Sequence, residues 1–145
     1  MIGLAKRTRA MYVADDEAPM RDFLAAALRD ARWHVEPEPV LGSSKPDFLL
    51  FDDSGNTLVV ELKRAPHGVH FGSVAQTAAF RDAAESALDK DVDALLVIVG
   101  ADAHELEAAG RDYRVEVVGS ASSAPADVAD AVRSRLLAMP KAAET

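Results

Sequence analysis

Lys45–Arg64, KPDFLLFDDSGNTLVVELKR, is the stretch that most restricts what this chain can fold into. It reads as two strands, Pro46–Asp52 and Asn56–Arg64, joined at Asp53-Ser54-Gly55. Both arms are rich in Phe, Leu and Val, and Ser-Gly-Asn supplies turn chemistry between them. A three-residue loop sets Asp52 opposite Asn56, Phe51 opposite Thr57 and Leu49 opposite Val59. Asp47 then lies opposite Glu61 on one face, where paired Cβ atoms sit roughly 4.5–5.5 Å apart. Strand alternation puts Lys63 on that face too. A loop of two or four residues would set Asp47 against Leu62 and scatter the group, so the odd-length loop is the expectation. Glu61 and Lys63 could instead form the wet face of an amphipathic strand. Val59 shares their face, however, and Leu58, Val60 and Leu62 fill the other. A strand covered on both sides needs partners for its charges.

Pro46-Asp47, a hairpin, then Glu61-Leu62-Lys63 resembles the signature of the PD-(D/E)XK nuclease superfamily. The resemblance implies an α/β, restriction-endonuclease-like fold: an αβββαβ core with a mixed central sheet flanked by helices. It also implies a metal-dependent nuclease, an endonuclease hydrolysing phosphodiester bonds of DNA. Asp47 and Glu61 would hold Mg2+ or Mn2+, and Lys63 would assist the attacking water. The chemistry asks for such a set, because a hard cation wants carboxylate oxygens and keeps several waters. A nearby lysine adds charge stabilisation or orients the nucleophile.

Composition bounds the rest. The chain has 145 residues, 49% of them hydrophobic and 28% charged, which suits one soluble domain. That domain is expected over residues 15–139, between an N-terminal arm at 1–14 and a disordered tail at 140–145. Without cysteine there is neither a disulfide framework nor a thiolate metal site. No membrane span or signal peptide is evident, so a cytoplasmic location is expected. The net charge of −8 weighs against a protein that coats nucleic acid. The excess is uneven, however. Residues 1–81 carry 10 basic and 11 acidic side chains, whereas residues 82–145 carry 6 and 13.

Asp15–Ala31 reads as the first helix, with Met20, Phe23, Leu24, Ala27, Leu28 and Ala31 on one apolar face. Glu17 sits at the N-terminal edge of that face. In several nuclease families of this fold a first-helix glutamate reaches the metal, so the resemblance makes Glu17 a third ligand; a helix-dipole acid is the alternative. Trp33–Pro39 looks like the first strand. The loop Ser43-Ser44-Lys45 resembles the one before Pro-Asp in archaeal Holliday-junction resolvases, though any loop uses such residues. His67 and His70 fall in a glycine-bearing loop after Lys63. Ser73–Leu88 is a second helix, with Gln76, Phe80, Ala83, Ala84 and Ala87 read as one stripe. Gln76-x-x-x-Phe80 resembles the Gln-x-x-x-Tyr element of RecB-type nucleases, which would put Gln76 near the catalytic carboxylates; an alanine-rich core helix would use Phe80 for packing alone. Asp93–Gly100 is a buried strand, His104–Gly110 a short helix, Arg114–Gly119 a strand and Ala124–Met139 the last helix. The order αβββαβαβα is the nuclease core with a C-terminal extension.

Two other readings use the same residues. Tyr12–Glu17 followed by a helix looks like the opening of a receiver domain, with Asp52 as phosphoacceptor. Only Val40–Lys45 separates the first two strands from each other, too short for the helix a receiver needs there. A catalytically inactive nuclease fold serving as a binding module is the other. A single domain of this size is expected to leave no room for a separate recognition domain, and the corresponding expectation is a homodimer or a protein partner supplying targeting.

Overall fold

The computed structural model describes residues 18–64 and 71–139. The arm at 1–14, Glu17, His67, His70 and the tail at 140–145 lie outside the described residues. Residues 18–30 are helical (α1), and β1 (His34–Pro37), β2 (Phe48–Phe51) and β3 (Thr57–Arg64) follow. Then come α2 (Phe71–Leu88), β4 (Asp93–Val99) and a 3-10 turn at His104–Leu106 running into α3 (Glu107–Tyr113). β5 (Glu116–Ser120) and α4 (Pro125–Ala138) complete the fold. The expected order of elements is reproduced.

The five strands form one sheet in the order β1-β2-β3-β4-β5. β1, β2 and β3 are antiparallel neighbours, while β3, β4 and β5 run parallel. The sheet is thus mixed, with hairpin pairing on one side and helical crossovers on the other. A receiver needs parallel pairing where β1, β2 and β3 are antiparallel, so that reading is overturned. Asp52 is occupied as well. Its Oδ1 accepts from the Ser54 and Asn56 amides at 3.0 and 2.9 Å, and its Oδ2 accepts from Asn56 Nδ2 at 2.9 Å. Asp52 is the side chain that ties the hairpin turn.

The central strands are covered on both faces, and their alternation divides the core in two. Leu58 and Val60 of β3 pack with Leu95 and Val97 of β4 beneath α1 and α4, which contribute Leu24, Leu28, Val128, Val132 and Leu136. Val59 packs with Leu96 and Ile98 beneath α2 and α3. Phe48, Val59, Val60 and Leu96 are fully enclosed, each burial contributing roughly 1.5–3 kcal/mol.

Two helix faces differ from expectation. In α1, Phe23 is 45% exposed and Ala25 is buried in its place. In α2 the inward residues are Val74, Thr77, Ala78, Arg81 and Ala84, while Gln76 points outward and Phe80 lies at the margin. Alanines mark no face of a helix, so the aromatic suggested one. The small residues meet the sheet instead. Arg81 turns inward because its Nη1 donates to the carbonyls of Tyr113 and Arg114, both at 2.7 Å, at the open end of α3. Among the described residues no helix is long and apolar enough to cross a membrane.

Candidate active site

The β2–β3 ladder pairs Phe51 with Thr57, Leu50 with Leu58, Leu49 with Val59 and Phe48 with Val60. This is the register of the three-residue loop. One step beyond the ladder stands Asp47, and the Asp47 amide donates to Glu61 Oε1 at 3.2 Å. In return Asp47 Oδ2 accepts from the Leu62 amide at 2.8 Å. Two reciprocal bonds between backbone and carboxylate therefore close the hairpin where its ladder ends, and both carboxylates are aimed by them. Pro46 before them has no N–H to satisfy, which suits a buried position at a strand entrance.

Glu61 is only 5% exposed. Burial and the hydrogen-bonded Asp47 carboxylate push its pKa up to about 9, with the Lys63 charge opposing the shift. Glu61 is thus disposed to keep its proton near neutrality, because burial and the adjoining Asp47 carboxylate both disfavour its charged form. A cation between them would remove that conflict. The donor set also suits one, since magnesium takes one or two carboxylates and completes its shell with waters and phosphate oxygens. Glu17 would be the third acid; among the described residues no group of three or more acids, histidines and cysteines could hold a metal.

Positive charge surrounds the pair. Arg21, on α1, sets Nη1 3.6 Å from Asp47 Oδ1. Asp47, Arg21, Lys63 and Arg64 line one crevice with Met20 and Val99, at the carboxyl end of β3 and β4. Its volume of about 20 Å³ is room for roughly one water-sized species. Lys63 is half-buried there.

The structure brings Asp47, Glu61 and Lys63 together and leaves Gln76 out. Gln76 is exposed on α2 and bonds to none of the three. Phe80 packs against the α2–α3 core. Lys45 pairs with Glu38 at 3.5 Å, and Ser44 bonds backbone to backbone with Leu41 in a tight loop. Sequence reasoning missed Arg21 and Glu38. Arg21 follows Met20 at the border of the apolar stripe, where a base looks like ordinary surface, and Glu38 falls near the end of the expected strand Trp33–Pro39, where a single acid marks no site.

No protein-family model matches the chain, and no curated protein matches it. Among solved structures it is similar to a repair endonuclease from Pyrococcus abyssi, with TM-score 0.58 and 21% identity over 71% of this chain and 46% of that one. It is also similar to a structure of an EndoMS-dsDNA2 complex, with TM-score 0.45 and 22% identity over 60% of this chain and 36% of that one. The chain spans less than half the length of either. With the strand order above, the first superposition shows that the fold is restriction-endonuclease-like.

Proposed function

We propose that this chain is a metal-dependent nuclease acting on DNA, with Asp47 and Glu61 holding a Mg2+ or Mn2+ ion and Lys63 assisting the attacking water. One observation carries the reading: the carboxylates of Asp47, just before β2, and Glu61, on β3, meet beside a lysine, and one of them is almost fully buried where a cation would offset its charge. The fold shared with a repair endonuclease supports a nuclease in general. When bound, the cation would acidify a water and neutralise charge developing on the phosphate. Asp47 offers Oδ1 while the Leu62 amide fixes Oδ2. Glu61 would hold the cation in its ionised form, the proton passing to solvent. Lys63, held in the same crevice, donates to the phosphate or orients the nucleophile. Arg21 and Arg64 line the mouth through which an anionic backbone would approach. Intracellular DNA in the cytoplasm is the setting proposed, with a second copy or a targeting partner supplying further contacts.

The test is cleavage of duplex, branched and single-stranded DNA with Mg2+ or Mn2+. Asp47→Ala, Glu61→Ala and Lys63→Ala are each expected to lose roughly 10²–10³-fold in rate while keeping a native circular dichroism spectrum. Equal cutting by wild type and Lys63→Ala would trace the activity to a contaminant. Folded wild type that binds cation and DNA but cuts none of these substrates would leave the binding-module reading.

A further inference from the structure

Four residues other than glycine have positive φ: Arg32, Glu38, Asp89 and Arg114. Three of them follow helices α1, α2 and α3, where the left-handed conformation is an ordinary way to end a helix. Glu38 is the exception. It follows β1 with φ 47°, a backbone conformation suited to glycine or asparagine and unusual for glutamate. What this residue does there is visible in its contacts. Its amide donates to the Asp47 carbonyl at 2.8 Å. Its carboxylate lies 3.7 Å from Arg21 Nη2 and 3.5 Å from Lys45 Nζ. The Arg21 guanidinium therefore bridges two acids, one nitrogen facing Asp47 and the other facing Glu38.

We propose that Glu38 is a positioning residue: by sharing Arg21 with Asp47 it sets how much of the Asp47 charge remains available to a divalent cation. The inference rests on the metal-dependent reading of Asp47 and Glu61. Arg21 and a cation compete for the same carboxylate. Without Glu38 the guanidinium bears more strongly on Asp47, and a cation must compete with it for that carboxylate. Without Arg21 that competitor is gone. Glycine would suit the backbone at 38 better than glutamate does, so the side chain can be removed there without straining the fold.

The experiment is calorimetric titration of Mn2+ into wild type, Glu38→Gln, Glu38→Gly, Arg21→Gln and the double variant Arg21→Gln/Glu38→Gln. Both Glu38 variants are expected to bind Mn2+ about two- to fivefold more weakly, and Arg21→Gln more tightly by about the same factor, the scale of partly exposed ion pairs. Adding Glu38→Gln to Arg21→Gln should have less than half the effect it has alone, because the two act through one contact. Glu38→Gly should melt no lower than wild type. Equal weakening by Glu38→Gln in both backgrounds, wild-type affinity in Glu38→Gly, or a large loss of stability in Glu38→Gly would overturn the inference and leave the metal-dependent reading intact. A wild type that takes up no Mn2+ overturns both.

Discussion

Glu61 sits among apolar neighbours on the central strand of the sheet, with Asp47 as its hydrogen-bond partner, and this has a consequence for stability. Its carboxyl ordinarily titrates at 4.5 and in the folded protein at about 9. The folded state therefore holds a proton that the unfolded chain releases. Its contribution to stability is fully present below about 4.5 and is lost as the pH climbs to about 9. The metal-free protein is expected to melt progressively lower across that interval. Glu61→Gln, which cannot ionise, should flatten the slope. Mg2+ should restore the lost stability most at the alkaline end, where both acids can serve it. Melting curves at a series of pH values, with and without Mg2+, check both statements, and a Glu61→Gln profile as steep as wild type would refute them.

The elements depend on one another through polar ties as much as through apolar faces. α3 has seven residues, too few to persist as an isolated helix. Its carboxyl end is held by Arg81 of α2, itself 6% exposed, bonded to two carbonyls and ion-paired with Asp82 at 3.2 Å. Replacing Arg81 by Ala leaves those carbonyls without their donor and opens a space beneath α2. A loss of roughly 2–4 kcal/mol is expected in urea unfolding, far above that of an exposed arginine on the same helix. The hairpin is the opposite case: its turn is tied by Asp52 and its mouth by Asp47, both within a few residues of the strands they join.

Across the whole molecule the local balance of charge differs between the two ends of β4. Arg21, Lys63 and Arg64 line the crevice at the carboxyl end of β3 and β4. At the other end of β4 lies Asp93, whose pKa is raised by burial and by Asp91, Glu116 and Glu85 around it. A chain of net charge −8 therefore sets a basic rim around the candidate site, while at the far end of β4 Arg111, Arg114 and Arg135 are interleaved with Asp93, Glu107 and Glu116. DNA binding is expected to be weak in chelator and to strengthen at least about tenfold with Ca2+, a cation that fills oxygen sites and commonly supports binding better than turnover. The affinity should fall only shallowly with added salt, since few basic residues are available to displace counterions. Fluorescence anisotropy with labelled duplex, in chelator and in Ca2+ at several salt concentrations, tests this. Equal binding with and without the cation would place the contact away from Asp47 and Glu61.

Much of this was legible in the residues because it is local. Loop length and alternation in Lys45–Arg64 dictate which side chains face each other, so the pairing of Asp47 with Glu61 followed from counting along two strands. The runs of Val and Leu in β3 and β4 likewise announced strands buried on both faces. What lay beyond reach depended on elements distant in sequence. The inward turn of Arg81 needs the open carbonyls of α3, more than thirty residues away. The ties from Arg21 to Asp47 and Glu38 exist only once α1 packs on its face of the sheet. The sequence by itself determined which carboxylates meet, because a pleated ribbon has a fixed repeat; only the tertiary structure decided which cations attend them, because long flexible side chains take their partners from whatever the packing brings near.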